Sequence, residues 1–285
     1  MRFGAIISFG LMAACVKLAS ERGVAIGEIL FWRFAISFFP TLLWIRLGSG
    51  LQAIRPKRPL AHVWRAAIGL TAMYLVFLSL SLLPLAEVTT IHFAAPLFAT
   101  LLSIPVLGER VGARRLIAIL VGFAGVVIVT QPQSGNLPLA GALVAIGAAI
   151  AVGLAQVTVR QISRSENSEA IVFWFALVAV IATGILQPWL YSPHDAASWA
   201  LLGGVGVLGG LAQIFITKSL EAAPLQITAP FDYSQLLIAT LLGWLIWSDM
   251  PRETTWIGAA LIIATGLYTI YRERKLARMA RGSAI

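Results

Sequence analysis

The chain has 285 residues, 59% of them hydrophobic and only 12% charged, with a mean hydropathy of +0.88. Soluble domains carry about 25% charged residues, so a soluble globular protein is excluded and lipid is the expected solvent. The net charge of +9 does not indicate a nucleic-acid partner, because nearly all Lys and Arg stand in short connectors between long apolar runs.

A helix needs about 20 mostly apolar residues to cross the roughly 30 Å hydrocarbon layer. By that measure ten spans are predicted, near residues 3–20, 27–47, 63–83, 87–107, 113–131, 138–160, 168–190, 197–220, 225–247 and 254–271. The first begins almost at the initiator Met. Met12-Ala13-Ala14-Cys15 faintly resembles a lipoprotein cleavage box, but nine further apolar segments follow, so Cys15 reads as a small helix-packing residue. A single cysteine also excludes an internal disulfide framework and a cysteine-built metal cage; neither a metal nor a cofactor is expected. The connectors are short and rich in turn formers, as in Arg55-Pro56-Lys57-Arg58-Pro59, Gln131-Pro132-Gln133-Ser134-Gly135-Asn136 and Ser192-Pro193-His194.

Alternate connectors differ sharply in charge. One side receives Arg2, the group Arg46, Arg55, Lys57, Arg58 and Arg65, then Arg110, Arg114 and Arg115. It also takes Arg160, Arg164, Lys218, and the tail cations Arg272, Arg274, Lys275, Arg278 and Arg281, seventeen in all. The other side receives Arg22 and Arg252, with Lys17 and Arg33 left inside spans. The bias predicts a multi-pass protein of the bacterial inner membrane with both termini cytoplasmic.

The chain also repeats itself. Shifted by 140 positions, residues 69–109 match their counterparts at eleven places, among them Gly69 with Gly209, Ser79 with Ser219, and Ala99-Thr100-Leu101-Leu102 with Ala239-Thr240-Leu241-Leu242. His92 falls on Asp232 and Glu109 on Asp249. Earlier spans echo more weakly: Phe31-Trp32 corresponds to Phe173-Trp174, and Lys17 roughly to Arg160. The fold expected is an all-α polytopic membrane protein of ten helices in two inverted five-helix repeats, residues 1–134 and 135–285. Five is odd, so the second half enters from the opposite side, the arrangement that serves alternating access.

These features together resemble the drug/metabolite transporter superfamily, EamA type, over essentially the whole length. They include Phe31-Trp32-Arg33-Phe34, Pro96-Leu97-Phe98, Leu107-Gly108-Glu109-Arg110 and Gly122-Phe123-Ala124-Gly125-Val126. Arg65-Ala66-Ala67-Ile68-Gly69 and Thr228-Ala229-Pro230-Phe231-Asp232-Tyr233 resemble the branch holding S-adenosylmethionine and riboflavin uptake carriers. The resemblance implies a transporter of a small organic metabolite; an amino-acid or drug exporter of the same superfamily is the alternative. The second half has Ser248-Asp249 where the first has Gly108-Glu109, which predicts a looser turn.

Ionisable groups inside spans cost about 2.5–3.5 kcal/mol each on insertion scales, so each needs a reason to be there. Asp232, next to Pro230, suits a cationic substrate group or a coupling proton, or else a salt bridge to Arg33 or Lys17. His92, its repeat partner, titrates near neutral pH and suits coupling. Arg33 suits an anionic group, or else an ion pair with Glu28, and Lys17 lies where its stem can snorkel. Tyr233, Gln235, Gln213, Gln156, Tyr74, Trp32 and Trp174 are the polar and aromatic candidates for a cavity that takes a planar ring. Glu87 and Glu109, at span ends, read as solvated or capping. A polytopic enzyme of lipid-linked substrates would need a cluster of acids, His or Ser at one interface, and the sequence has none. The partners expected are therefore a small-molecule substrate, membrane lipid and a coupling proton, for a monomer or homodimer.

Overall fold

A computed structural model describes residues 1–48, 50–109, 111–130, 137–222 and 231–282, without the side chains of 114, 115, 217, 220–222 and 272–282. In hydrocarbon every backbone N–H and C=O must be satisfied within its own segment, and the apolar runs accordingly form helices. These are α1 (Arg2–Glu21), α2 (Ile26–Leu47), α3 (Pro59–Leu82), α4 (Leu85–His92), α5 (Ala95–Leu107) and α6 (Ala113–Thr130). The second half has α7 (Leu139–Ile162), α8 (Ser168–Ile185), the short α9 (Gln187–Leu190), α10 (Ala196–Ala222), α11 (Gln235–Trp247) and α12 (Glu253–Gly282). Eight segments of the described residues are long and apolar enough to cross a membrane, α4 and α5 counting as one, and two shorter apolar helices accompany them. The protein is an all-α polytopic membrane protein.

Two expectations change in detail. The fourth span is two helices rather than one, and the last helix runs on to Gly282, so the basic tail continues the helix. The predicted start of the ninth span, including Pro230, lies outside the described residues, as does the connector 131–136.

Helix packing follows a rule of exchange. If α1, α2, α3, α5 and α6 are swapped with α7, α8, α10, α11 and α12, the main contacts between the halves map onto one another. The α1–α10 pair becomes α7–α3, α2–α10 becomes α8–α3, and α1–α11 becomes α7–α5; all six pairs are packed. The α2–α8 and α6–α12 pairs map to themselves and are also packed. Each half therefore packs mainly on the other rather than on itself.

Glycines make the closest of these approaches. A Cβ at Gly209 on α10 would collide with the Arg33 side chain from α2, and one at Gly69 on α3 would collide with Phe175 from α8 and with Arg65. Gly69 and Gly209 are repeat partners, and so, by the Phe-Trp echo, are Arg33 and Phe175. The same knob-in-glycine joint is thus built twice, once with a cation from the facing helix and once with a phenyl ring from the facing helix beside a cation of the glycine's own helix.

The turn after the fourth span is also built twice. Gly108 ends α5 in the left-handed conformation (φ 69°), and Ser248 ends α11 the same way (φ 56°). The N–H of Glu109 reaches Ser103 O at 3.4 Å and that of Asp249 reaches Gly243 O at 3.1 Å, each bond closing the helix end onto the carbonyl six residues back. The expected looseness of the Ser248 turn is therefore corrected: the hydrogen bond overrides the missing glycine.

Candidate functional site

The break between α4 and α5 falls at Phe93-Ala94, immediately after His92. Pro96 has no N–H and sits in the first turn of α5, where a proline is tolerated because that donor would be idle anyway. The repeat position is broken alike: 231 and 232 are helical, 233 and 234 form a turn, and α11 begins at Gln235. The local bonds agree one for one. Ala94 N–H donates to Ile91 O at 3.0 Å and Ser234 N–H to Phe231 O at 3.0 Å; Leu97 N–H donates to Ala94 O at 2.9 Å and Leu237 N–H to Ser234 O at 3.1 Å. Discontinuous membrane helices of this kind expose backbone polar groups and are where carriers build their sites.

The two breaks meet. The Phe93 and Tyr233 rings, themselves repeat partners, lie edge to face at 5.1 Å. A Cβ at Gly266 of α12 would strike the Tyr233 hydroxyl.

At the second break Asp232 is held by Arg2, not by Arg33 or Lys17. Arg2 Nε donates to Asp232 Oδ1 at 2.7 Å and Nη2 donates to Oδ2, a two-pronged pair. Phe3 packs on Phe231 beside it at 5.5 Å. The Arg2 side chain is 8% exposed and that of Asp232 41%. Arg2 counted only as an orientation charge in the sequence, because nothing local joins residues 230 positions apart. At the first break the Nε2 atom of His92 is buried and, among the described residues, has no hydrogen-bond partner.

Arg33 is buried on α2, with Nη1 donating to Ser37 Oγ at 3.1 Å and its guanidinium 5.0 Å from the Phe34 ring centre. Among the described residues its Nε has no partner, and Glu28, the acid expected beside it, is engaged elsewhere: His194 Nε2 lies 2.8 Å from Glu28 Oε1. Lys17 donates to Leu83 O at 3.1 Å, closing the end of α3, and pairs with Glu21 at 3.6 Å. Trp247, on α11, donates to the same Glu21 at 2.8 Å.

The remaining candidates separate. Gln213 lines a small cleft with Thr41, Trp44, Val172 and Ile214. Gln235 is half-buried at the start of α11, whereas Tyr74 and Gln156 are exposed. Trp32 stacks edge-on against Phe31 and Trp199, both at 5.2 Å. Trp174 anchors a connector, donating to Ile54 O at 2.9 Å. Glu87 is a correction: it is buried rather than solvated and accepts from Thr255 Oγ1 at 3.3 Å. Glu109 pairs with Arg160 at 2.7 Å on the surface.

Three further groups were not legible in the sequence. Glu166, in the connector before α8, accepts the backbone N–H of Lys57 at 2.9 Å and of Arg58 at 2.6 Å, with His62 Nε2 at 3.4 Å. Burial would raise its carboxyl, but those N–H groups and the His62 ring outweigh it and hold Glu166 below the usual carboxylate range. The Glu28–His194 pair is its counterpart, joining an α2 acid to the connector before α10. Beside it Asp195 accepts from Ser198 at 2.9 Å and pairs with Arg22 at 3.1 Å. Arg65, counted as a flanking charge, lies inside α3 with its guanidinium 4.5 Å from the Phe175 ring centre.

The EamA-like transporter family matches residues 1–131 and again 139–272. The riboflavin transporter of Vibrio cholerae is 27% identical over 281 residues, covering 98% of this chain and 94% of that protein. The pseudopaline exporter of Pseudomonas aeruginosa is 31% identical over 262 residues, 91% of this chain and 90% of that one. The S-adenosylmethionine uptake transporter of Rickettsia prowazekii is 27% identical over 249 residues, 87% and 84% of the two chains. A solved crystal structure shares the fold with a TM-score of 0.61 at 22% identity, covering 96% of this chain and 98% of the other. The chain belongs to the EamA-like transporter family.

Proposed function

We propose that the protein carries a small organic metabolite across the bacterial inner membrane by alternating access, with residues 1–134 and 135–285 as inverted halves and both termini cytoplasmic. The observation that carries this reading is the pair of equivalent helix breaks, ending in His92 and Asp232 and touching through Phe93 and Tyr233. If each half can adopt the other's conformation, a site between them opens to one side and then the other.

The substrate class favoured is a nucleotide-like or otherwise planar metabolite, as for the riboflavin and S-adenosylmethionine carriers to which the chain is similar. Asp232 then serves as the exchangeable acid: substrate cation or proton competes with Arg2 for it, and His92 supplies a second titratable group. Tyr233, Gln235, Gln213 and Trp32 supply rings and amides. Export is the second reading, because the pseudopaline exporter is equally similar. A monomer or homodimer is compatible with a site built within one chain.

Reconstitution into proteoliposomes tests the proposal. Riboflavin, S-adenosylmethionine and labelled amino acids are offered with and without a pH gradient. At least one compound should accumulate, faster with the gradient. A panel in which nothing moves and nothing raises the melting temperature overturns the carrier reading.

A further inference from the structure

Arg33 and Arg65 lie on different helices yet belong to one stack. The Arg33 guanidinium lies over Phe34 at 5.0 Å, Phe34 meets Phe175 edge to face at 5.2 Å, and the Arg65 guanidinium lies over Phe175 at 4.5 Å. The stack crosses the α2–α8 contact, where two equivalent helices of the halves meet. Among the described residues neither cation has a carboxylate partner, and the buried N–H groups at Arg33 Nε, Arg65 Nε and Arg65 Nη1 have no acceptor.

Packing alone does not account for two such groups. A cation over an aromatic face recovers only part of what desolvating a guanidinium costs. The feature recurs in the repeat: at the joint equivalent to Arg33–Gly209, the Arg65 guanidinium faces the glycine hole together with the Phe175 ring. What is missing is an anion, and guanidinium is the group that binds planar carboxylates and phosphates through several N–H donors at once.

We propose that Arg33 and Arg65 together recognise an oxyanion, a carboxylate or phosphate, on the transported metabolite, with Phe34 and Phe175 between them. This deepens the carrier reading and rests on it. A small cleft lined by Thr41, Trp44, Val172 and Gln213 lies between α2, α8 and α10, one helical turn from Ser37. Thr41 donates to Ser37 O at 2.8 Å, and Ser37 holds Arg33. In this conformation the Arg33 Nε faces Gly209, so the α2–α10 seam parts for the oxyanion to reach it.

The test uses the full chain in detergent, with melting temperature as the readout. Sodium phosphate, sodium citrate and flavin mononucleotide are each compared with sodium chloride at matched ionic strength, and riboflavin serves as the neutral counterpart of flavin mononucleotide. At least one oxyanion should stabilise the wild type beyond chloride, and flavin mononucleotide should bind at least about tenfold tighter than riboflavin. Arg33→Met and Arg65→Met should erase the stabilisation, while Arg33→Lys keeps part of it. Ligand-free Arg33→Met should melt no lower than wild type, because it removes an unpaired buried charge; a structural cation would give a clear drop. Where a Met variant does not fold, the wild-type comparison and Arg33→Lys decide alone. Oxyanions that act no better than chloride, or a stabilisation unchanged in both Met variants, overturn the proposal. Riboflavin stabilising or crossing as well as its phosphate removes the oxyanion site and leaves the carrier intact.

Discussion

The two halves of this protein share geometry down to single hydrogen bonds and differ in what they place on it. At the first break His92 presents a buried Nε2 that has no partner among the described residues; at the second Asp232 is clasped by Arg2 from the start of α1. The backbone around them superposes in pattern: turn, restart and left-handed ending all recur 140 residues apart. The echo keeps the break in both copies and places different side chains on it, an acid held by Arg2 in one and an imidazole with a buried Nε2 in the other. A carrier whose halves were chemically identical would have no built-in difference between its two faces.

The largest expected effect separates those two residues. Asp232→Asn should lower transport by roughly tenfold or more, about 1.4 kcal/mol or above in the rate-limiting barrier. It should also lower the melting temperature, because Arg2 is left buried and unpaired. Adding Arg2→Gln should restore the melting temperature without restoring transport, a coupling that a double-mutant cycle reads directly. His92→Gln should leave the melting temperature unchanged, since its Nε2 makes no bond to lose, while transport loses its dependence on a pH gradient. Wild-type transport in Asp232→Asn would end the asymmetry argued here.

The two buried His–acid pairs sharpen the same comparison by a smaller amount. Glu166 accepts two backbone N–H groups besides facing His62, whereas among the described residues Glu28 has His194 alone and a second oxygen without a partner. Glu166→Ala should therefore cost about 3 kcal/mol and Glu28→Ala about 1–2 kcal/mol, read as thermal shifts. Folded Glu166 titrates below the usual carboxylate value of about 4.3. Its contribution is then complete above that pH and is lost as pH falls through the folded value. Wild type and Glu166→Gln should differ at neutral pH and converge in acid. Equal losses in the Glu166 and Glu28 alanine variants would mean that the connectors, like the hinges, are duplicates.

The fold was legible because lipid makes the rules strict. Ten apolar runs, basic connectors and the Gly69-to-Glu109 echo are all properties of short stretches, and they led to the helices and their pairing. The breaks were half legible: Pro96 and Pro230 mark them, but that Phe93 touches Tyr233 is a property of how two spans cross. The partners were not legible. Arg2 with Asp232, His194 with Glu28 and Arg65 with Phe175 join residues more than 100 positions apart, and a lone sequence supplies no distance between them. Arg65 was misjudged for a specific reason: it sits seven residues into α3, where charge counting cannot tell a flank from a helix interior.

The smallest expected effect lies at the helix ends, and it tests whether the second half has drifted from an original glycine. A left-handed residue costs an ordinary side chain about 1–2 kcal/mol, and glycine enters that region freely. Gly108→Ser should thus destabilise the protein by about 1 kcal/mol. Ser248→Gly should stabilise it by somewhat less, about 0.5 kcal/mol, because added glycine also loosens the unfolded chain. The hydrogen bonds from Glu109 and Asp249 to the preceding helices survive either change, since they use backbone atoms alone. Thermal unfolding of the two variants side by side gives the comparison. Opposite signs mean that the turn geometry is imposed by the packing of the helices and that Ser248 merely tolerates it. A neutral Gly108→Ser would instead place the preference in the local sequence, and the correspondence of the two turns would carry no energetic meaning.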